Sequence, residues 1–375
     1  MNISELVNYK GLCYWFPYYC MDSLLQRVKY TGVTGPIHLF VCVVDHFEPF
    51  NGPVDLATAL SRVDVWKQKY PEFASNHRDA DGNPLKHTWF YPPHIDHQVL
   101  PHILEICQAG YGEIEMHLHH NHMPPFPDTS QTLREKILRC IEDYGKLGIF
   151  VQPDGKPRFA FIHGDWSLDN SGGEMVCGIN DELRILIECG CYADFTFPCL
   201  NCSQPAFANQ IFYAIDDTGK PKSYNRGIPV KKQGRAPNEA LMLIQGVIGL
   251  RYDGNKSFKL AIDYSDLDSN DPPTKARIDF WVQNAISING KYDWKFIKLH
   301  THGGREMRWD ANFGEPAEQA FTYLEERYND GNEYILHYVT AREMYNIIRA
   351  AEAGKEGDPN RYRDYQITPY PYRQT

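Results

Sequence analysis

Short apolar runs alternate with longer amphipathic segments along most of the chain. The runs are rich in β-branched and aromatic residues and are bounded by turn residues, which is typical of β-strands. Strands are predicted at residues 37–44, 87–91, 113–119, 158–163, 191–195, 241–244, 294–300 and 334–338. Between them, apolar residues recur every three or four positions, the spacing of an amphipathic helix. Helices are predicted at residues 55–70, 97–109, 129–147, 180–190, 315–328 and 340–351. This alternation predicts an α/β protein, and its eight strands fit one barrel.

The regular alternation is interrupted twice. Between residues 199 and 289, Pro, Gly, Asn and Asp are scattered among short β-like pieces, which predicts an elaborated insertion that covers the mouth of the barrel. Residues 354–375 are rich in Asp, Arg, Tyr and Pro and have no periodic apolar positions, so we expect an extended C-terminal tail. The rest of the pattern predicts a single domain over residues 1–353.

Charge and hydropathy limit the partners. The 375-residue chain has a formal net charge of −10, and clustered Lys and Arg are missing, so a nucleic-acid partner is not expected. No stretch approaches the roughly 20 consecutive apolar residues of a membrane-spanning helix. The first 20 residues lack the basic start and apolar run of an export signal. These features predict a cytoplasmic protein.

Ten cysteines without an export signal predict reduced thiols rather than a disulfide framework. One spacing leaves an alternative open: Cys189 and Cys191, followed by Cys199 and Cys202, could hold a small structural zinc ion. Buried free thiols are the favoured interpretation, because cysteine packs as a small apolar residue.

Four imidazoles fall within six positions at the end of the third predicted strand, at His117, His119, His120 and His122. Because side chains alternate along a strand, His117 and His119 share one face. Such a density of imidazoles predicts a metal site.

Two other predicted strands also end in ligand-type residues. Asp45, His46 and Glu48 close the first, and His300 and His302 close a later one. Catalytic groups of β/α barrels lie at the carboxyl ends of several strands. The predicted metal ligands are His46, His117, His119 and His122, with Glu48 as a substitute for His46 if the loop curls back. Imidazole and carboxylate ligands predict a divalent cation, and zinc above others.

Five segments carry most of these residues. They are Val43-Val44-Asp45-His46-Phe47-Glu48-Pro49, residues 113–122, Phe161-Ile162-His163-Gly164-Asp165-Trp166, Tyr192-Ala193-Asp194-Phe195 and Leu299-His300-Thr301-His302. In this order they resemble the motifs of the polysaccharide deacetylases, carbohydrate esterase family 4, and the chain is similar to a divergent branch of that superfamily. The resemblance implies an irregular β/α barrel of seven or eight strands, a divalent metal and the removal of acetyl groups from sugars.

The resemblance also implies roles for single residues. Asp45 corresponds to the general base of the family, and His46 stands where the family has a carboxylate ligand. His117 corresponds to the first histidine ligand, but the position of the second is occupied by Asn121, with His119, His120 and His122 nearby. The general acid corresponds to His300 or His302, and strand alternation puts both on one face.

Further residues are predicted to contact a substrate. Trp166 is a candidate platform for the apolar face of a sugar ring, and His163 and Asp165 could hydrogen-bond its hydroxyls. Weaker candidates for the same pocket are Thr88, Tyr91 and Asp194.

The predicted function is therefore metal-dependent hydrolysis that removes N- or O-linked acetyl groups from a sugar or polysaccharide precursor. Two alternatives stay open. A metal-dependent phosphoesterase or amidohydrolase also uses His-x-His, although it would place that motif on the first strand. A non-catalytic carbohydrate-binding barrel would account for the altered residues His46 and Asn121.

Overall fold

The computed structural model describes residues 9–29, 32–93, 97–122, 124–254 and 259–373. Residues 1–8, in the predicted domain, and 374–375, in the predicted tail, lie outside the described residues. The strands are β1 Ile37–His46, β2 His87–Tyr91, β3 Gly112–Leu118, β4 Phe159–His163, β5 Cys191–Asp194, β6 Ile211–Ile215, β7 Gly227–Pro229, β8 Ala240–Ile244, β9 Gly249–Tyr252, β10 Leu260–Asp263, β11 Trp294–Thr301 and β12 Tyr334–Tyr338. The α-helices are α1 Leu12–Lys29, α2 Leu56–Asn76, α3 Leu100–Gln108, α4 Ser130–Gly145, α5 Glu182–Glu188, α6 Lys275–Gln283, α7 Trp309–Phe313, α8 Glu315–Tyr328 and α9 Ala341–Glu352. All the strands and helices predicted from the sequence are confirmed, with small differences at their ends.

One large sheet organises the molecule. Its strand order is β11-β1-β2-β3-β4-β5-β8-β6-β7, and β12 pairs with the first half of β1. The pairs from β11 to β8 are parallel, whereas β6 joins β8 and β7 in antiparallel fashion. A separate hairpin is formed by β9 and β10. The predicted α/β class with a mostly parallel central sheet is therefore confirmed.

The predicted irregular barrel of seven or eight strands is confirmed only in part. Within the described ranges, no strand ladder connects β8 with β11. Loop segments fill this gap instead: the amide of Gly246 donates to the carbonyl oxygen of Phe197 at 3.0 Å, and the amide of His300 in β11 donates to the carbonyl oxygen of Ser265 at 2.9 Å. The hydroxyl of Ser265 donates to the carbonyl oxygen of Val247 at 2.8 Å. Irregular backbone from the predicted insertion thus occupies the place of a barrel strand.

The parallel register brings several strand ends to one edge of the sheet. Val44 lies opposite His300 in the β1–β11 ladder, and Leu118 lies opposite His163 in the β3–β4 ladder. Because the carboxyl ends of parallel strands share one edge, residues that follow β1, β3, β4 and β11 meet there. The strand cores beneath this edge are buried and mostly apolar.

Two regions differ from the simple sequence pattern. Helix α1 was not predicted, and it contains Pro17, which breaks the usual helix signal. The predicted extended tail is irregular, but it is fixed against α9: the amide of Ile367 donates to Asn346 Oδ1 at 2.9 Å, and Ile367 is buried. The predicted domain limits stay a prediction.

Among the helices that the structure describes, none has both the length and the apolar character needed to cross a membrane.

Candidate metal centre

Three donor atoms converge at the carboxyl ends of β1 and β3. Glu48 follows β1, and its Oε1 atom lies 2.9 Å from His119 Nε2 and 4.0 Å from His117 Nε2. The centroids of the two imidazole rings are 4.7 Å apart. One donor atom of each of these three residues lies within 4.8 Å of the others. Two imidazoles and one carboxylate are a ligand set of catalytic zinc sites, which keep a further position open for water.

The orientation of His117 is fixed by the neighbouring strand. Its Nδ1–H group donates to the carbonyl oxygen of Ile162 at 2.9 Å. A neutral ring in this tautomer turns the lone pair of Nε2 toward Glu48. Metal-binding histidines commonly make such an outer contact, because it holds the ring and raises its basicity.

The charges around Glu48 favour its ionised form. Burial raises the pKa of Glu48, but the hydrogen bond and charge of His119 outweigh it and hold this pKa below its ordinary value. Burial lowers the pKa of His119, whereas Asp165 and Glu48 together raise it to about 9. Without a cation, a proton on His119 balances the two carboxylates. A bound metal ion would replace that proton, since its ligands must be deprotonated.

Two further histidines line the same space. The ring of His46 lies 5.0 Å from that of His117 and stacks on His302 at 4.7 Å. His46 Nε2 and His302 Nδ1 are buried, and within the described ranges neither has a hydrogen-bond partner. His300 lies deeper, with its ring 6.4 Å from His46 and only 1% of the residue exposed. The structure therefore brings the predicted histidines of β1, β3 and β11 together, with His302 nearer to solvent than His300.

Asp45 lies on the other side of β1, because successive strand residues face opposite ways. Its Oδ1 atom accepts from the amide of Gly303 at 2.7 Å, and its Oδ2 atom lies 3.0 Å from His87 Nε2. Both oxygens are thus used inside the protein, and Asp45 fixes the backbone next to His302. The base role of Asp45 stays a prediction. His87 did not stand out in the sequence, since it is a lone histidine at the start of a strand.

Asp165 and Trp166 form one rim of the centre. Both have φ of 54°, a left-handed conformation that is uncommon outside glycine and that clusters at functional sites. The turn brings Asp165 Oδ2 to 3.4 Å from His119 Nδ1 and the Trp166 ring to 5.6 Å from the His302 ring. The ring of His122 stacks on that of His119 at 4.5 Å and is exposed. Metal binding by His122 stays a prediction.

The structure places four predicted substrate contacts in other surroundings. Thr88 Oγ1 accepts from the amide of Ala341 at 3.0 Å, at the start of α9. Asp194 is buried and accepts from Thr196 Oγ1 at 2.7 Å. For the other two, the carbonyl oxygen of Tyr91 accepts from the Tyr144 hydroxyl at 3.1 Å, and the His163 ring stacks on His120 at 4.6 Å. Contact of these four residues with a substrate stays a prediction.

A second group of metal-type residues was missed from the sequence. His120, His163, Cys177 and Glu182 meet in the interior, on the side of β3 opposite His119. Cys177 and Glu182 follow no motif, and only their contacts in the fold reveal them. The groups that could hold an ion in the described part of the chain do not include Cys189, Cys191, Cys199 or Cys202. The zinc alternative for those four cysteines is therefore not supported.

Comparisons with known proteins give likenesses of the fold alone. No protein-family model matches the chain, and no curated protein matches it. Among solved structures, a presumed polysaccharide deacetylase of Mycobacterium smegmatis is 14% identical, with a TM-score of 0.46, over 88% of this chain and 96% of that one. An α-mannosidase of Enterococcus faecalis is 10% identical, with a TM-score of 0.44, over 86% of this chain and 30% of that one. A 4-α-glucanotransferase of Thermococcus litoralis is 10% identical, with a TM-score of 0.39, over 82% of this chain and 41% of that one. Likenesses of this size carry no argument about function.

Proposed function

We propose that the protein is a metal-dependent hydrolase that removes acetyl groups from a sugar or a sugar polymer. The observation that carries the proposal is the convergence of Glu48, His117 and His119 on one point at the open edge of the sheet. The donor set fits a zinc-like divalent cation, because it joins one ionised carboxylate to two imidazoles. When bound there, such an ion polarises an acyl carbonyl and lowers the pKa of water.

In this proposal His302 moves the proton. Burial lowers the pKa of His302, although Asp266 and Glu48 oppose it, so the ring is neutral at pH 7 and can accept a proton from water. The same ring then gives that proton to the departing amine nitrogen or sugar oxygen, so that acetate and the free amine or hydroxyl leave. His302 fits this role better than His300, because it is half-buried at the mouth whereas His300 is buried more deeply.

Asp45 positions His302. By accepting from the Gly303 amide, its carboxylate fixes the backbone next to His302. Trp166 offers an aromatic face at the rim, and Asp165 offers a carboxylate for sugar hydroxyls, while both close one side of the centre. Glu48 is the carboxylate nearest to the two imidazoles in the described part of the chain. A single carboxylate ligand fits a site for one ion better than the two-metal site of a phosphoesterase.

The test uses purified full-length protein, the His117→Ala variant and a matched His102→Ala variant. His102 lies in α3 and pairs with Asp64, outside the group of Glu48, His117 and His119. We expect the protein to bind a divalent metal and to release acetate from acetylated amino sugars or acetylated sugar esters. His117→Ala should lose at least one equivalent of metal and nearly all acetate release, while His102→Ala keeps both.

Two results would contradict the proposal. Phosphate release from phosphate esters, without acetate release, would favour the phosphoesterase alternative. Bound metal without hydrolysis of any acetylated sugar would favour a non-catalytic carbohydrate-binding protein.

A further inference from the structure

A second cluster of ligand-type side chains lies beneath the surface, next to the centre described above. Glu182 Oε1 is 2.9 Å from His120 Nε2 and 3.4 Å from His163 Nε2, and Cys177 Sγ is 3.4 Å from Glu182 Oε2. All four residues are buried, and one donor atom of each lies within 4.8 Å of the others. We propose that these four residues form a closed structural site for a zinc-like ion, separate from the centre of Glu48, His117 and His119.

The donor set and its spacing fit such an ion. Two imidazole nitrogens, one thiolate and one carboxylate oxygen are ligands that zinc takes in tetrahedral sites. With ligand distances of about 2.0 to 2.3 Å, tetrahedral geometry puts the donors roughly 3.3 to 3.8 Å apart. Two of the separations to Glu182 are 3.4 Å and the third is 2.9 Å, so little movement is needed to surround an ion.

Each of the two imidazoles, His120 and His163, has a partner on its Nδ1 atom, the nitrogen farther from the cluster, and this partner orients the ring. His120 Nδ1 lies 2.8 Å from Asp128 Oδ2, and Asp128 in turn pairs with Lys136 Nζ at 2.7 Å. The Nδ1–H group of His163 donates to the carbonyl oxygen of Gly164. A carboxylate or carbonyl partner on the far nitrogen is the outer contact that metal-binding histidines make.

The two anionic ligands are supported in the same manner. Glu182 Oε2 accepts from the amide of Asp169 at 2.6 Å, and Cys177 Sγ accepts from the amide of Asn170 at 3.3 Å. Burial raises the pKa of the Cys177 thiol, which donates to Glu182 Oε2, and the Asn170 amide opposes that shift. A metal ion that binds here would displace the thiol proton, since its ligands must be deprotonated. Each of the four ligands therefore has an outer partner inside the protein.

The position of the protons on His163 gives an independent argument. Because Nδ1 donates to Gly164, the neutral ring turns the lone pair of Nε2 toward Glu182 Oε1. His163 Nε2 is buried and has no hydrogen-bond partner among the residues that the structure describes. Two acceptors that face each other in the interior repel unless a cation lies between them. A dication also balances the charges, since the thiolate, Glu182 and Asp128 carry three negative charges against the single positive charge of Lys136 plus the ion.

A site without an exposed ligand serves the structure rather than turnover. It would link the ends of β3 and β4 to the loop that carries Cys177 and to α5. The inference does not depend on acetyl hydrolysis, because none of its four ligands is used in the proposed reaction.

Cobalt(II) distinguishes the two centres, because only the closed one contains a sulfur ligand. We expect the full-length protein, loaded with cobalt, to bind two equivalents and to show a near-ultraviolet sulfur-to-cobalt charge-transfer band. Cys177→Ser should abolish the band, whereas Cys140→Ser, a buried thiol in α4 outside the cluster, should keep it. His117→Ala should lose one equivalent of cobalt but keep the band.

A wild-type protein without the band would overturn the proposal, whether or not the first centre binds metal. A band that persists in Cys177→Ser would overturn it as well, since the sulfur would then come from elsewhere, for example the exposed Cys13, Cys20 or Cys202. One equivalent of cobalt together with the band would support the closed site and count against the first centre, so the two proposals fail separately.

Discussion

The two clusters at the end of β3 begin from neighbouring residues but differ in their access to solvent. His119 points to the centre with Glu48, whose side chain is 14% exposed, and its other partner Asp165 is 46% exposed. His120 points to the opposite side, where the side chain of Glu182 is fully buried. The first group reaches solvent through Glu48 and Asp165, whereas every ligand of the second has an outer partner inside the protein. Similar ligand-type residues thus form both the proposed catalytic centre, which reaches solvent, and the proposed structural site, which would link parts of the chain in the interior.

The largest expected effect is on the free energy of unfolding, which should differ between variants of the two clusters. Glu182→Ala removes the carboxylate that pairs with His120, His163 and the Asp169 amide, and leaves these groups in the interior without that partner. We expect a loss of about 3 to 5 kcal/mol in the free energy of unfolding, the cost of breaking a buried charge pair. Denaturant titration measures it.

Glu48→Ala is the matched control for that variant. Because the Glu48 side chain is 14% exposed and His119 keeps Asp165 as a partner, we expect a smaller cost of about 1.5 to 3 kcal/mol, that of one hydrogen bond between charged groups. Equal losses in the two variants would mean that the clusters do not differ in structural role.

A substitution at Gly164, between the two clusters, should affect the open cluster of Glu48, His117 and His119 more than the closed site. A Cβ atom at Gly164 would lie 2.4 Å from the Cγ atom of the His119 ring, so Gly164→Ala must displace that ring. Displacing a ligand by about 1 Å commonly costs roughly 100-fold in rate, so we expect acetate release to fall by about that factor. The cobalt–thiolate band of the closed site should remain.

Gly145→Ala is the control for the added methyl group, since nothing lies within 4 Å of a Cβ atom there. Unchanged acetate release in Gly164→Ala would show that the position of His119 does not matter for the reaction.

The smallest effect is expected at a third group, Asp79, Asp81 and His337. Asp79 Oδ2 already accepts from the Tyr338 amide and lies 3.1 Å from Arg363 Nη2, and Asp81 pairs with His337 at 2.8 Å. These partners satisfy the carboxylates without an ion. Asp81→Asn should therefore leave the metal content unchanged and cost about 1 kcal/mol or less. Elemental analysis that finds one equivalent fewer would reveal a further metal site.

Much of the open cluster could be predicted because it follows strand ends. Hydrophobic runs located β1, β3 and β11, and alternation along a strand put His117 and His119 on one face. The choice of Glu48 could not be made from spacing, since it depends on how the loop after β1 curls back. Alternation along β1 also puts Asp45 on the face opposite His46, but its partners there, Gly303 and His87, could not be read from the spacing.

The closed cluster and the closure of the sheet could not be predicted from the sequence, and the reason is the same for both. Glu182 lies 62 positions from His120, and Cys177 lies in a loop without periodicity, so only the packing of the chain joins them. The segments around Gly246 and Ser265 carry no strand pattern, yet their hydrogen bonds fill the gap beside β11.

The turn that begins at Gly164 contributes to both clusters at once. Its carbonyl oxygen orients His163, its Cα atom lies against His119, and the next two residues form the rim. Lengthening or shortening this turn by one residue would misalign two sites in a single step. Among related chains, insertions and deletions should therefore accumulate in the long segment before β11 and spare these few positions.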